Sequence, residues 1–288
     1  MLRTMLHSMP RRFLAGLCLL AALSGVLPVP ARAAEEPGKT VNLLLIGQDR
    51  LPGERRARSD SIILCTFRTG TGELILTSFL RDLYVSIPGN GSNRINAAYT
   101  FGGIPLLTDT LRENFAVEVD GSIEVDFSQF AQIIDVLGGV ELELRQDEAE
   151  VINLETGSAL TAGTHVLSGS QALSYSRIRR LDADGDFSRT QRQRKVLEQL
   201  LESYRDANLV TVAKVLKGIL PMITTDLSTR ELLSLALELF PLLSDLSTQT
   251  QRIPADGTYR DEKIDGMCVL VADMKKARQL LSETISPK

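Results

Sequence analysis

Beyond residue 40 the chain alternates short apolar runs with longer stretches where apolar residues recur every three or four positions. Val41 to Gly47 is a nearly continuous apolar run closed by glycine, the pattern of a strand buried on both faces. Ser61 to Phe67 and Glu73 to Ser78 read as strands joined by the turn Thr69-Gly70-Thr71-Gly72. Pro105 to Phe115 reads as a helix. Asp126 is a candidate N-cap for a helix carrying Phe127, Phe130, Ile134 and Leu137, stopped by Gly138-Gly139. Val140 to Leu144 is a further strand, and Gln171–Arg180 and Thr190–Tyr204 read as helices. The last third predicts helices over Val210–Leu220 and Thr229–Leu239, strands over Gln249–Ile253 and Met267–Val271, and a terminal helix from Met274. Strands alternating with helices, with no repeat and no Gly/Ser or Pro linker, predict one α/β layered domain.

The first 33 residues have a different character. Arg3, Arg11 and Arg12 precede the apolar stretch Phe13 to Leu27, which Pro28 and Pro30 end. Ala31-Arg32-Ala33 then matches the small-x-small pattern of signal cleavage. The stretch is short against the roughly 20 residues of a membrane span. Residues 1–33 are therefore expected to be a signal peptide, with a retained membrane anchor as the alternative, and the domain over 40–288 is expected outside the cytoplasmic membrane. Cys18 follows Leu17, which makes it a poor lipoprotein site. An oxidising compartment would permit a Cys65–Cys268 disulfide, although Cys65 sits in a strand-like run that equally suits a buried free thiol.

Composition narrows the chemistry by exclusion. The formal net charge is −4 over 288 residues, which gives no global sign of nucleic-acid binding. The only histidines are His7 and His165, and His165 lies in a turn-like segment, so a Ser-His-Asp triad and a His/Cys zinc site are both disfavoured. Neither a GxxxxGK[ST] loop nor a GxGxxG fingerprint is present. Of the 32 basic residues 24 are Arg, the side chain suited to bidentate recognition of phosphate and carboxylate, though a genomic bias would give the same excess.

Carboxylates and arginines cluster. Asp49 follows the first strand and Asp60 opens the second, so neighbouring strands would bring both to one end of a sheet. Two hard oxygen ligands suit Mg2+, which binds through one or two carboxylates plus substrate phosphates; two solvated turn residues would look the same. Arg81 lies just past the third strand. Arg177 and Arg179 precede Asp182, Asp184 and Asp186. Arg189 and Gln193 are four apart and share a helix face that continues into Leu197 and Leu200. A helix N-terminus carrying Arg and amide donors is an anion site, and a solvated basic surface is the alternative.

At these residues the sequence resembles the LytR–CpsA–Psr family of envelope proteins. The matching segments are Asn42 to Gly47 with Asp49; Arg58 to Ser61; Ser78 with Arg81-Asp82; Arg94 to Tyr99; Gly102-Gly103; and Asp135 to Val140. They continue with Leu167 to Gly169 and Gln171 to Leu173; Tyr175 with Arg177 and Arg179; and Asp184 to Phe187 with Arg189 and Arg192-Gln193. The order is the family's over about residues 42 to 205. Departures are Ser78-Phe79-Leu80 where Ser-Ile-Pro is usual, Ser188 where Gly is usual, Arg50 placed directly after Asp49, and a leader that looks cleavable where an anchor is usual.

The resemblance implies a three-layer α/β/α fold, a mixed sheet flanked by helices, with an apolar tunnel for a prenyl tail. It implies a Mg2+-dependent phosphotransferase that moves a glycopolymer from undecaprenyl pyrophosphate onto peptidoglycan at the membrane surface. Asp49 and Asp60 are then the expected metal ligands, and these two with Arg81 the expected catalytic residues. Arg58, Arg81, Arg177, Arg179, Arg189 and Gln193 are expected to bind pyrophosphate. Asp82 and Asp186 are candidates for the base, and both could equally hold Arg side chains in place. A prenyl-pyrophosphate hydrolase and a non-catalytic lipid-binding regulatory module are the rival readings. Catalysis of such a transfer is mostly positioning and charge stabilisation, which Mg2+ and Arg supply.

Overall fold

A strand apolar on both faces must lie inside a sheet, and β1 (Thr40–Gln48) does. The computed structural model describes residues 39–49, 59–182 and 185–285, so the leader, Arg50, Arg58 and Asp184 lie outside the described residues. β1 pairs antiparallel with β2 (Ser59–Arg68) and parallel with β6 (Gly121–Asp126). β2 continues antiparallel into β3 (Glu73–Phe79), which pairs parallel with β10 (Ser247–Ile253). The two-residue β9 (Thr224–Thr225) closes the other edge on β6. The order β10-β3-β2-β1-β6-β9 is a six-stranded mixed sheet. Residues Gly38–Lys288 form one compact unit.

The alternation of side chains along these strands builds the three layers. Leu44, Ile46, Ile62 and Leu64 pack against Leu107, Leu111 and Phe115 of α1 (Ile95–Phe115) and against Ala277 and Leu281 of α8 (Met274–Ile285). The intervening residues Leu43, Leu45, Ile63 and Cys65 face the other way and meet Leu197 and Leu201 of α5 (Asp186–Ser203). Each fully buried Leu or Ile contributes about 1.5–3 kcal/mol, so these two faces are the main source of stability. A third apolar cluster joins Ile134 of α2 (Phe127–Val136), Leu142 of β7 (Val140–Leu144), Ile152 of α3 (Gln146–Thr156), Leu167 of β8 (Gly163–Leu167), Tyr175 of α4 (Gly169–Arg177) and Val196 of α5. Helix α5 therefore sits between two clusters and is held from both sides.

The predicted strands and most predicted helices stand, with shifted ends. Asp126 caps α2 as expected: its side chain accepts from the Gln129 backbone N–H while the Gln129 side chain accepts from the Asp126 N–H. α1 starts at Ile95, ten residues before the predicted Pro105, and is broken at Gly103, whose φ of 68° and ψ of −153° are not helical. α4 stops at Arg177, because Ile178 turns extended. α5 begins at Asp186, four residues before the predicted Thr190. β4 (Tyr84–Ile87), β5 (Gly91–Arg94), β6, α3 and β11 (Tyr259–Ile264) carry too little apolar pattern to be read from the sequence. α6 (Leu209–Ile219) and α7 (Thr229–Leu239) lie where the periodicity predicts them.

Both cysteines of the described residues are free thiols, Cys65 buried in β2 and Cys268 exposed in β12 (Met267–Ala272). Burial pushes the Cys65 thiol up to about 12. A maleimide at pH 8 is expected to label Cys268 and to spare Cys65 until denaturant is added, read by peptide mass spectrometry. Gly169 opens α4 against α2, where an added Cβ would lie 1.9 Å from the Ala131 carbonyl oxygen. Gly169→Ala is therefore expected to destabilise the domain by about 1–3 kcal/mol or more, read by urea unfolding.

Candidate functional site

The antiparallel pairing of β1 and β2 sets the first two acidic groups. Gln48 lies opposite Ser59, with a register shift at Gly47/Gln48, so Asp49 and Asp60 emerge at the same end of the sheet. Both line one cavity. The strands approach closely there: a Cβ on Gly47 would meet the Ser61 Cβ at 3.0 Å. Glycine at 47 leaves room for that approach.

Three arginines from distant segments converge on Asp60. Arg81, two residues past β3, donates from Nη1 to Asp60 Oδ1 at 2.8 Å. Arg179, two residues past α4, reaches Asp60 Oδ2 from Nη2 at 3.4 Å. Arg189, in the first turn of α5, donates from Nη2 to the Asp60 backbone oxygen at 3.1 Å and places Nη1 3.9 Å from Asp60 Oδ2. Asp186 is the second anion of the cluster, with its Oδ1 2.7 Å from Arg189 Nη2, 3.6 Å from Arg81 Nε and 3.8 Å from Arg179 Nε.

The electrostatics follow from this crowding. Burial works to neutralise Arg81, but its bond to Asp60 and the fields of Asp186, Asp60 and Asp82 outweigh it and hold the guanidinium firmly charged. Burial raises the Asp186 carboxyl above its usual range, against the pull of Arg81 and Arg179. Arg189 is almost wholly buried, and its Nε, like Arg81 Nε and Gln193 Oε1, has no hydrogen-bond partner. Each such orphaned group costs about 1–3 kcal/mol, which a polar ligand in the cavity can offset.

Arg177 is brought to the same cavity by a different contact, with its Cζ 4.5 Å over the Phe127 ring. Arg180, not singled out from the sequence, lines the cavity too. Arg192 belongs elsewhere: it bonds Glu148, Asp182 and the Ile178 carbonyl in a buried network that ties α5 to α3. Asp82 pairs with Arg81 and Arg94, and neither Asp82 nor Asp186 lines the cavity. Both hold arginines in place. His165 lies on β8 with its ring nitrogen bonded to the Thr161 carbonyl oxygen, away from this site.

The cavity holds about 1120 Å³, above the usual ~300–1,000 Å³ of a small-molecule pocket. Away from the charged residues its walls are apolar: Phe130 and Ile133 of α2, Leu154 of α3, Leu200 of α5, Leu216 of α6 and Leu232 of α7. This explains a peculiarity of α6 and α7, which are strongly amphipathic yet contain no buried residue. Their apolar faces border a void. A cationic cluster and apolar walls thus share one cavity.

The donor set also bears on a metal. Among the described residues no group of three or more His, Cys, Asp or Glu is arranged to hold one. Two carboxylates, Asp49 and Asp60, share the cavity, and that fits Mg2+ held largely by water and ligand phosphates.

Comparison with known proteins gives a consistent result. The model of the LytR_cpsA_psr family matches residues 26–286. The chain is 31% identical over 227 residues to a protein of Staphylococcus aureus named regulatory protein MsrR, covering 77% of this chain and 66% of the relative. It is 32% identical over 201 residues to a protein of Enterococcus faecalis named polyisoprenyl-teichoic acid–peptidoglycan teichoic acid transferase TagU, covering 68% and 65%. The chain thus spans just under two thirds of the length of these relatives. Among solved structures it is similar to the LytR-CPS2A-psr family protein YwtF (TagT) with bound octaprenyl pyrophosphate lipid, at 25% identity and a TM-score of 0.66, covering 89% of this chain and 94% of that one.

Asp60 acts as the internal counter-ion of three guanidiniums. Asp60→Asn is expected to lower stability by about 1–2 kcal/mol, a value below that of a fully buried pair because the groups are partly solvated. Millimolar inorganic pyrophosphate should recover part of that loss, because it neutralises the same cations. Thermal unfolding with and without the anion checks both.

Proposed function

This chain belongs to the LytR–CpsA–Psr family, and we propose that it is a Mg2+-dependent phosphotransferase that moves a glycopolymer from a polyprenyl-pyrophosphate carrier onto peptidoglycan. The observation that carries the reading is the joining of the Asp60-centred arginine cluster to an apolar channel in one cavity. A ligand that satisfies both must have an anionic head and a long apolar tail. The bound octaprenyl pyrophosphate of the YwtF (TagT) structure and the name of the Enterococcus relative support the same reading. The Staphylococcus relative is named a regulatory protein, and a regulatory module is the second reading, one that would bind the lipid without turnover.

In this reading the prenyl chain lies along Phe130, Leu200 and Leu216, each CH2 taken from water contributing about 0.8 kcal/mol. Arg81, Arg179 and Arg189 bind the pyrophosphate, and Arg177, fixed on Phe127, adds a fourth guanidinium to the cavity wall. Asp60 exchanges some of its guanidinium contacts for the ligand. Held by Asp49 and Asp60, Mg2+ would supply further neutralisation of charge on the phosphoryl oxygens. The acceptor hydroxyl oxygen bonds to the phosphorus nearest the glycan as that phosphorus loses its bond to the prenyl-phosphate oxygen. The hydroxyl proton passes to the departing prenyl phosphate, and the guanidiniums hold the charge that develops on the transferred and leaving oxygens. Asp186 keeps Arg81, Arg179 and Arg189 aimed at one point through the step. Arg58, outside the described residues, is proposed to complete the pyrophosphate set, and Gln193 to add an amide donor.

The reaction faces the outside of the cell membrane in this proposal, with residues 1–33 as export signal or anchor. Among the described residues no helix is long and apolar enough to cross a membrane.

With a lipid-pyrophosphate glycan donor and wall fragments, most turnover is expected as a phosphodiester-linked product rather than free sugar phosphate, because a bound acceptor has an effective-molarity advantage over water. Asp49→Ala and Asp60→Ala should each lower turnover by about 10²–10³, and the double variant little further. Arg81→Lys should not restore it, for the planar fork is lost. Free sugar phosphate alone at saturating acceptor would make the protein a pyrophosphatase. Binding of prenyl pyrophosphate with no product at all would favour the regulatory module.

A further inference from the structure

Helix α5 presents two charged faces. Arg189 and Gln193 border the large cavity, whereas Phe187, Gln191 and Arg194 border a second pocket of about 430 Å³ against β10 and the loop after it. The second pocket is polar and has its own pair of arginines. Arg194 is buried, at 6% exposure, and donates from Nη1 to Ser78 Oγ at 2.7 Å, while its Nε has no hydrogen-bond partner. Among the described residues no carboxylate forms an ion pair with it; the nearest acidic influence is Glu198, one turn along the same helix. Arg252 stands directly opposite Ser78 in the β3–β10 register, so its side chain rises on the same side of the sheet. Its Cζ packs 4.0 Å over the Phe187 ring, and it pairs with Asp256, which is mostly in solvent.

Two guanidiniums brought together, one of them buried without a counter-ion, form an arrangement that repels itself. Burial and the neighbouring Arg252 lower Arg194 to about 10, so it remains cationic at neutral pH. Bonding to Ser78 alone would need a donor, not a charge. Ser188 and Thr250 place hydroxyls on the same pocket wall, whereas Gln251 is engaged by Thr77 and Thr284. Two planar forks with flanking hydroxyls suit a tetrahedral oxyanion with several acceptor oxygens better than a carboxylate with two.

We propose that the pocket between α5 and β10, framed by Arg194 and Arg252, is a second anion site that takes a phosphate group. The phosphate is either free inorganic phosphate or a phosphodiester of a bound polymer; the latter source rests on the transferase reading, the former does not. Because the two sites share α5 and the β3 end, a phosphate here would sit beside the reaction centre without entering it.

The test is a calorimetric titration of the full chain with inorganic phosphate at constant ionic strength, using wild type, R252Q, R194Q and R179Q. R252Q and R194Q are expected to lose one class of phosphate site, weakened about tenfold or more by the missing charged hydrogen bonds. R179Q, altered in the large cavity, should keep that class. Should R194Q fail to fold because it loses the Ser78 bond, R252Q decides, since Arg252 is less buried and its ion-pair partner Asp256 is exposed. An R252Q isotherm that superimposes on wild type overturns the proposal. The source follows from KM in R252Q with two donors, one bearing phosphodiesters and one a neutral glycan. A rise for the phosphodiester donor alone identifies the polymer; no rise for either identifies free phosphate.

Discussion

The carboxylate of Asp60 is the point through which the functional end of this protein is tied together. It meets Arg81 from the end of β3, Arg179 from the α4–α5 connection and Arg189 from the first turn of α5. Arg81 is far in sequence from Arg179 and Arg189, and the sheet alone would not bring three like charges to one spot. Asp186 shares the work from the other side. With Asp82 beside Arg81, the carboxylates match the three guanidiniums in number but not in hydrogen bonds. Such a cluster is stable enough to persist, yet it retains unmet donors in Arg81 and Arg189 that an anionic ligand can take up.

The oily channel follows from a different constraint. α6 and α7 are amphipathic, and an amphipathic helix must cover its apolar face. Here that face meets a cavity instead of another packed surface, so neither helix has a buried residue. The sheet-borne core is closed without them, because α1 and α8 complete one face and α5 the other. The domain can therefore keep a large apolar void without forfeiting the packing that stabilises it. Whatever fills that void contributes its own apolar burial, which makes the protein's stability sensitive to the ligand.

Much of this was legible in the sequence, and the limits have physical causes. The strands of the sheet centre announce themselves because both their faces are buried; the edge and hairpin strands β5 and β9 are short and polar and do not. The Asp49–Asp60 proximity follows from reading two adjacent strands joined by a loop, which the β1–β2 register bears out. The convergence of Arg81, Arg179 and Arg189 on one carboxylate is a tertiary fact, with no period or spacing to reveal it. Ordered resemblance to a family pointed to these residues where spacing alone left two readings open. The periodicity places Phe127 on an apolar helix face, and its use as a platform for Arg177 depends on where α4 ends.

The early start of α5 links these observations. Beginning at Asp186 rather than Thr190, the helix gains a first turn that carries Asp186, Phe187 and Arg189 in a rigid frame. Asp186 and Arg189, three apart, pair on one face and reach Arg81 and Arg179; Phe187 points elsewhere and supports Arg252. The same turn therefore orders the cationic cluster on one side and the Arg194–Arg252 pocket on the other. Downstream, Arg192 anchors the helix to Glu148 and Asp182, and Leu197 with Leu201 anchors it to the sheet. A helix held at so many points cannot rotate to relieve repulsion among its own arginines. Among the described residues Arg189 and Arg192 find carboxylates within the fold, whereas Arg194 finds only the Ser78 hydroxyl, so its charge is the one left for an anion from outside.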